Sequence, residues 1–503
     1  FDLSNLRPTN TPVTNAARTS TGVPTWMERY SNSTREVAQK GRRGALMLTL
    51  SVHHPDCVYV PREGEKHDPT RSDFVSIKRD KTKVTGANIS VRLSDEFMQA
   101  ATSGNKFQQR WPVDLADTKF TNQVDASYVW DKIVENAHFM AEPGLLFWDN
   151  ILRNSPADCY ADVGFRTTST NPCSEICMST DSCRLLLLNL LSYVKEPFTD
   201  KAYFDYALFY HHAQLAQRLM DDLVELELEA IDRILAKIDK DPEPAHLKQV
   251  ELGVWKQLRQ SAEQGRRTGL GITAMGDTLA ALGVPYSSED GIRTAEQIYR
   301  TLKFGAYRGS VDMAKTRGPF PVFSADKEKD CEFFKRFKSE SLDFPEWNGR
   351  EKVSGAELIK DMWIHGRRNI ALLTTAPTGS VSIMTQTTGG IEPLFKISYV
   401  RNRKINPSDS GAQVSFTDQN GDRWQSFEVY HEQVKNWMKV TGSNDLTKSP
   451  WYGQCAEDIH WEPRVRLQAA ATRHLDHAVS STINLPEDTP VSTVRSIYEA
   501  AWA

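Results

Sequence analysis

Cysteine is scarce in this chain, seven among 503 residues, an odd number without regular spacing. That excludes a disulfide framework and favours a reducing, cytoplasmic compartment. Long apolar runs are missing as well. The longest candidate, Leu185 to Leu191, is interrupted by Asn189 and falls far short of the roughly 20 residues a membrane-spanning helix needs. Neither sign of charge dominates, since 61 Lys and Arg face 65 Asp and Glu for a net charge of -4. The composition therefore offers no polycationic surface for nucleic acid or for a membrane. Internal repeats and low-complexity linkers are absent, and the first residues show no signal-peptide layout. What remains is an ordinary soluble globular composition, 39% hydrophobic and 25% charged, long enough for one large α/β unit or for two or three domains.

What is present is a series of strand-length apolar runs separated by helical stretches. Arg43 to Val52, Ala87 to Leu93, Arg184 to Val194 and Asn369 to Ala376 carry β-branched and apolar residues at strand length. Tyr203 to Ile238 repeats leucine at three- and four-residue spacing, and Gly271 to Leu282 also reads as helical. Leucines so spaced are expected to face the core. Strands alternating with helices predict an α/β architecture with its strands covered on one face. Polar stretches at 53–86 and 402–425 read as long loops of the functional or mobile kind.

The most informative stretch is Asn171-Pro172-Cys173-Ser174-Glu175, with Cys183 ten residues beyond Cys173. Side chains alternate along extended backbone, so the amide, the thiol and the carboxylate would share a face. Pro172 cannot donate to a sheet ladder and pushes Asn171 toward extended geometry, which predicts a loop tip. A lone thiol is commonly a small buried hydrophobe. Structural zinc takes four Cys or His ligands in close pairs, and no histidine lies between 171 and 183, so no metal is assigned to Cys173, Cys177 and Cys183. A cysteine hydrolase stays open, because its histidine base could come from elsewhere, but it leaves Asn171 and Glu175 without a task.

A second constellation, Ala376-Pro377-Thr378-Gly379-Ser380-Val381-Ser382, follows the apolar run Ile370 to Thr374. Small hydroxyl residues and a glycine at a helix start present N–H and O–H groups to one point, an anion seat. No lysine follows the glycine, so this is not the Walker loop. A plain helix N-cap explains the same residues equally well. Two further motifs are set aside. Gly265-Arg266-Arg267-Thr268-Gly269-Leu270-Gly271 lacks dinucleotide-fold spacing and reads as a tight lead into a helix from Ile272. His474-Leu475-Asp476-His477 lacks a third ligand and reads as a solvated or capped helix face.

Taken in order, Asn171-Pro172-Cys173-Ser174-Glu175-Ile176 with Cys183, Gly366-Arg367-Arg368-Asn369 leading to Ala376-Pro377-Thr378-Gly379-Ser380, and Gly390-Ile391-Glu392-Pro393 resemble the catalytic chain of ribonucleotide reductases. Arg42-Arg43-Gly44-Ala45, His54-Pro55-Asp56, Asn88-Ile89-Ser90-Val91, Gly269-Leu270-Gly271 and Ser481-Thr482-Ile483-Asn484-Leu485-Pro486 agree in the same order. Nearly the whole chain is covered. Pro172 and the Ala-Pro-Thr-Gly-Ser form of the hydroxyl loop look like the adenosylcobalamin-dependent class. The class fed by a separate metal-containing radical subunit is the alternative.

The resemblance implies a ten-stranded α/β barrel of two five-stranded halves, filling residues 1–503, with Cys173 on a central finger loop. A thiyl radical on Cys173 would abstract the 3′-hydrogen of a ribonucleotide, a step open because the S–H and C–H bonds are of similar strength. Glu175 would take the 3′-hydroxyl proton, Asn171 would hold the sugar hydroxyls, and Cys183 would be one of two thiols that end as a disulfide. Thr378, Gly379, Ser380, Val381 and Ser382 would hold the phosphates. Arg7 and the stretch to Val13, with Lys78, Arg79 and Asp80 in the loop to Gly86, would hold a deoxynucleoside triphosphate effector across a homodimer interface. A solvated charge run explains the second set equally well. A thioredoxin-like dithiol would restore the site. The family's other reducing cysteine and its C-terminal shuttle thiols find no match here, so the expectation is a barrel incomplete at its N-terminal edge and a chain truncated at both ends. A split enzyme, or a catalytically silent nucleotide-binding piece, are the competing readings.

Overall fold

The computed structural model describes every residue except 40, 41, 62, 63, 65, 67, 69, 344–351, 407, 410 and 481, and the side chains of 38, 39, 42 and 43. The side chains of Arg42 and Arg43, and Ser481 of the stretch to Pro486, thus lie outside the described residues.

Beside several short strands and the hairpin Lys106–Trp111/Phe120–Asp125, the strands that position the site and the outlying sheet are β1 (Met47–Ser51), β2 (Asn88–Leu93), β3 (Gly144–Phe147), β4 (Ser169–Thr170), β5 (Cys177–Met178), β6 (Leu185–Asn189), β7 (Gly269–Thr273), β8 (Ser398–Lys404), β9 (Phe416–Thr417) and β10 (Arg423–Tyr430). Two parallel sheets organise the molecule. In the first, β1 pairs β2 with Met47 opposite Asn88, and β2 pairs β3 with Ser90 opposite Gly144. The first residues add a further row, Leu3 donating its N–H to the Thr49 carbonyl at 2.8 Å. In the second, β6 pairs β7 with Leu185 opposite Gly269. Beyond β7 lies the 371–375 run, Leu270 donating to Leu372 at 2.7 Å, and beyond that the 477–479 run, His477 donating to Leu373 at 3.1 Å. Parallel strands need crossovers, and helices such as Ala126–Met140, Tyr206–Lys240 and Glu289–Arg317 cover the sheets. Each sheet has its own apolar core, one around Leu48, Val91 and Trp130, the other around Leu270, Tyr299 and Leu372. The α/β class stands, with two separate parallel sheets; each sheet with its own core is called a half.

Several local expectations need correcting. The strand expected from Arg43 to Val52 narrows to Met47–Ser51, and that from Arg184 ends at Asn189 in a 3-10 turn. Gly265 to Gly271 does not lead into a helix. Arg266, at φ 49°, ends the helix Ala245–Gly265, and the chain then enters the fully buried β7; the helix starts only at Met275, after left-handed Ala274. Helix Tyr206–Lys240 forms as expected, yet its buried stripe is Phe209, Ala213, Ala216, Met220, Val224, Leu228 and Ile231, whereas Leu215, Leu219, Leu223 and Leu226 face solvent. The 402–425 stretch forms much of a three-stranded antiparallel sheet, in the order β8, β10, β9. The 53–86 loop is packed, with His53, His54, Asp56, Phe74 and Ile77 buried. The final stretch is an amphipathic helix, Val491–Trp502, with Val494 and Ile497 buried. Among the described residues no helix is long and apolar enough to cross a membrane.

Candidate functional site

Between the two halves stands a hairpin. β4 and β5 pair antiparallel, Thr170 opposite Cys177, and 171–176 form the tip that carries the thiol. The tip is a turn, because Ser174 donates to the Asn171 carbonyl at 2.9 Å and takes a left-handed φ of 65°. Simple alternation of side chains therefore fails at Asn171. Its carbonyl oxygen Oδ1 accepts from Ile176 N at 3.1 Å and closes the turn from inside. Cys173 and Glu175, which alternation would place on one face, separate as well, the thiol exposed and the carboxylate 3% exposed.

Both halves hold the hairpin. Thr49 Oγ1 meets Ser169 Oγ at 3.1 Å, and Asn88 Nδ2 donates to the Pro172 carbonyl at 3.5 Å. From the other half, Thr374 Oγ1 donates to the Glu175 carbonyl at 2.6 Å and Ala478 N to the same oxygen at 3.1 Å. Asp476 fixes that strand by accepting from the amides of Leu372 and Leu373 at 2.9 and 2.7 Å. His474 and Asp476 are buried, at 2% exposure each, so the 474–477 stretch is part of the scaffold and not a solvated helix face.

Of the seven cysteines only Cys173 and Cys183 are exposed. Burial is the first cause raising the Cys173 thiol, and the Glu175 carboxylate is the second. Cys183 is pushed up to about 12 by partial burial, then by Glu175 and by Cys173, with Arg184 opposing. The two sulfurs and the carboxylate thus lie within one another's field. Glu175 Oε2 is buried and has no hydrogen-bond partner among the described residues. Behind Cys183, Asp181 accepts from Arg267 Nε at 3.0 Å and Arg184 Nη2 at 3.3 Å, and Arg184 also pairs with Glu227. The large residue after Cys183 is accommodated by this buried ion cluster. Its members, with Thr374 and Asp476, were missed in the sequence because each acts through backbone or through another side chain.

From Thr374 the chain runs four residues to Thr378, about 13 Å of extended backbone, and there turns into the helix Gly379–Thr385. Thr378 takes a left-handed φ of 56°. Its Oγ1 accepts from Gly390 N at 2.6 Å and meets Thr273 Oγ1 at 3.1 Å. Gly379 and Ser380 are exposed and Val381 and Ser382 half-buried. Among the described residues the amides of 379–381 have no protein acceptor, as the first turn of any helix requires of its environment. The Gly390-to-Pro393 stretch is structural in part: Glu392 pairs with Arg464 and accepts from Thr482 N at 3.1 Å.

The ribonucleotide reductase barrel-domain model matches residues 1–503. The chain belongs to that family. It is 28% identical to the vitamin B12-dependent ribonucleoside-diphosphate reductase of Mycobacterium tuberculosis (strain CDC 1551 / Oshkosh), over all of this chain and 61% of that protein. It is 25% identical to the protein of the same name from Thermoplasma acidophilum, over all of this chain and 55% of the relative. With the vitamin B12-dependent ribonucleotide reductase of Streptomyces coelicolor it shares 26% identity over 92% of this chain and 47% of the relative. The chain thus spans about half to three-fifths of the curated relatives it matches.

Within this reductase-family chain the four candidate effector residues are each engaged by protein. Arg7 donates to the Pro12 carbonyl at 2.8 Å and lies over the Trp111 ring at 4.9 Å. Lys78 donates to Ala87 O at 2.8 Å and pairs with Glu142, and Arg79 donates to Asn136 at 2.5 Å. Asp80 accepts from Thr82, which lowers its carboxyl below the usual range. No hydrogen bond or ion pair joins Arg7 to the other three among the described residues.

Proposed function

We propose that this chain carries the barrel of an enzyme that reduces ribonucleotides to 2′-deoxyribonucleotides, with the finger hairpin inside a ring of ten strands in two five-stranded halves. A thiyl radical on Cys173 takes the 3′-hydrogen, Glu175 takes the 3′-hydroxyl proton, and Asn171 orients the sugar hydroxyls. Loss of the 2′-hydroxyl as water is balanced by two thiols, Cys183 and one further cysteine, that leave as a disulfide. A thioredoxin-like dithiol then restores them. Phosphates sit on residues 378–382, where unpaired N–H groups and hydroxyls neutralise charge without a metal. Arg7, Lys78, Arg79 and Asp80 border a deoxynucleoside triphosphate effector in a cytoplasmic homodimer.

The observation that carries this reading is the buried, unpartnered Glu175 carboxylate beside the two exposed thiols. A buried carboxylate oxygen without a donor calls for an explanation, and a proton-accepting role next to the two thiols supplies one. The names of the relatives specify vitamin B12 dependence, which favours adenosylcobalamin over a separate metal-containing subunit. The residues fit that group in one respect: Cys173 is exposed at the hairpin tip, so its sulfur is accessible without opening the core. When bound, adenosylcobalamin supplies the one-electron oxidising equivalent that forms the thiyl radical, by homolysis of its cobalt–carbon bond.

The test is deoxynucleotide formation by the full-length protein with adenosylcobalamin, a dithiol and a ribonucleoside di- or triphosphate, read by chromatography. Cys173→Ala is expected to bring product to background. Full turnover by that variant would refute the radical role, and product only on adding a metal-containing subunit would refute the cofactor.

A further inference from the structure

The antiparallel sheet β8–β10–β9 stands out from the rest of the molecule because none of its residues is fully buried, only Tyr430 at its end packing against the apolar cluster around Val434 and Trp437. In β8 every residue from Tyr399 to Lys404 is exposed, and no residue of β9 or β10 is buried. A small sheet with so little apolar cover is marginal in water, and an added strand would stabilise it.

Register sorts its side chains. Directly opposed residues share a face, so Tyr399, Arg401 and Arg403 of β8 lie on one face with Val429, Phe427 and Gln425 of β10, together with Arg423 opposite Thr417. Tyr399 is 55% and Phe427 39% exposed. The acids of the same segment are placed elsewhere. Glu428 lies on the opposite face, Asp418 and Asp422 occupy the turn, and Asp409 accepts from Asn406 N and pairs with Arg403 at 3.8 Å. Arg401 and Arg423 have no carboxylate partner among the described residues. This face is therefore cationic and aromatic in a chain whose net charge is -4.

The edge matters equally. β8 is the outer strand, and only β10 takes backbone hydrogen bonds from it among the described residues. Every second residue of β8 turns its N–H and C=O outward, a template for one more strand. We propose that this edge and its arginine face bind an acidic extended segment of a partner protein, which adds as a fourth strand beside β8. In an added strand, acids two residues apart fall next to Arg401 and Arg403 on one face, and the residues between them turn to the opposite face. A second copy of this chain is disfavoured, because edge-to-edge pairing of β8 sets arginine against arginine. Single-stranded nucleic acid would use the rings and the cations but not the free backbone edge.

The test uses a fluorescein-labelled peptide, Glu-Val-Glu-Phe-Glu-Val-Glu, titrated into the full chain at low salt and read by anisotropy, with hydrogen exchange followed at 398–404. Expected are saturable binding, slowed exchange at 398–404, and at least a tenfold loss of affinity in Arg401→Glu/Arg403→Glu. That double variant should instead bind the matching peptide with Lys for Glu, which also shows that its sheet is intact. The proposal fails if wild type shows no protection at 398–404, if the double variant binds the acidic peptide unchanged, or if a labelled oligothymidylate binds this face more tightly than the peptide. Self-association of the chain that the double variant abolishes would also overturn it.

Discussion

Cys173 and Cys183 are held as thiols. Burial and the Glu175 carboxylate raise both from the ordinary value, Cys183 to about 12. A cysteine that works as a nucleophile needs the opposite, a lowered value beside a cation or helix N-terminus. The hydrolase alternative that the sequence left open therefore loses its chemical basis, whereas hydrogen-atom transfer needs an intact S–H. Alkylation by iodoacetamide, followed residue by residue with mass spectrometry, is expected to accelerate with pH well past 9, with a midpoint for Cys183 near 12. Glu175→Gln removes a negative charge and should shift both midpoints down. A midpoint at or below the ordinary value for either thiol would contradict this account.

At the scale of the element, two glycines from the stretches that carry the family resemblance make different demands. A Cβ on Gly271 would lie 2.6 Å from the Thr374 carbonyl oxygen, and one on Gly379 would meet nothing within 4 Å. Gly271 lets β7 approach the strand whose Thr374 hydroxyl holds Glu175, so crowding there moves the hairpin. Gly271→Ala is expected to cost about 1–3 kcal/mol in urea unfolding and to lower turnover. Gly379→Ala should stay within about 0.5 kcal/mol. Equal effects from the two would remove the packing explanation. The contrast also shows what the sequence could carry. Pro172 announced a turn, and the order of motifs announced the family, because both depend on local residue chemistry. The solvent-facing leucines of Tyr206–Lys240, the burial of His474 and Asp476, and the β8–β10 sheet depend on what packs opposite, which spacing along the chain does not encode. Asn171 lies between these cases: its place on the tip was legible, its inward bond to Ile176 was not, since the left-handed Ser174 sets that direction.

At the scale of the whole molecule, the two halves meet through the hairpin, and each half buries a histidine pushed down to about 4 by desolvation: His53 in the first and His474 in the second. His53 Nε2 meets Ser94 Oγ at 2.9 Å and the ring lies 4.7 Å from Phe107, so protonation brings charge into the first core. A folded value below the unfolded one means that the unfolded chain binds the extra proton. The stabilisation is then complete above 6.5 and is lost as pH falls from 6.5 through 4. For His53 this amounts to about 3 kcal/mol. Buried carboxylates such as Asp73 are raised and act in the opposite sense, so the useful measurement is a difference. Urea midpoints of wild type and His53→Gln should converge as pH falls from 7 to 4, because only wild type loses this increment. Parallel curves would show that His53 does not titrate in the folded chain. Because Thr49 and Asn88 on one side and Thr374 and Ala478 on the other grip the same hairpin, loosening the first half also releases Glu175. Activity should therefore decline over the same pH range, and the decline should begin at lower pH in His53→Gln.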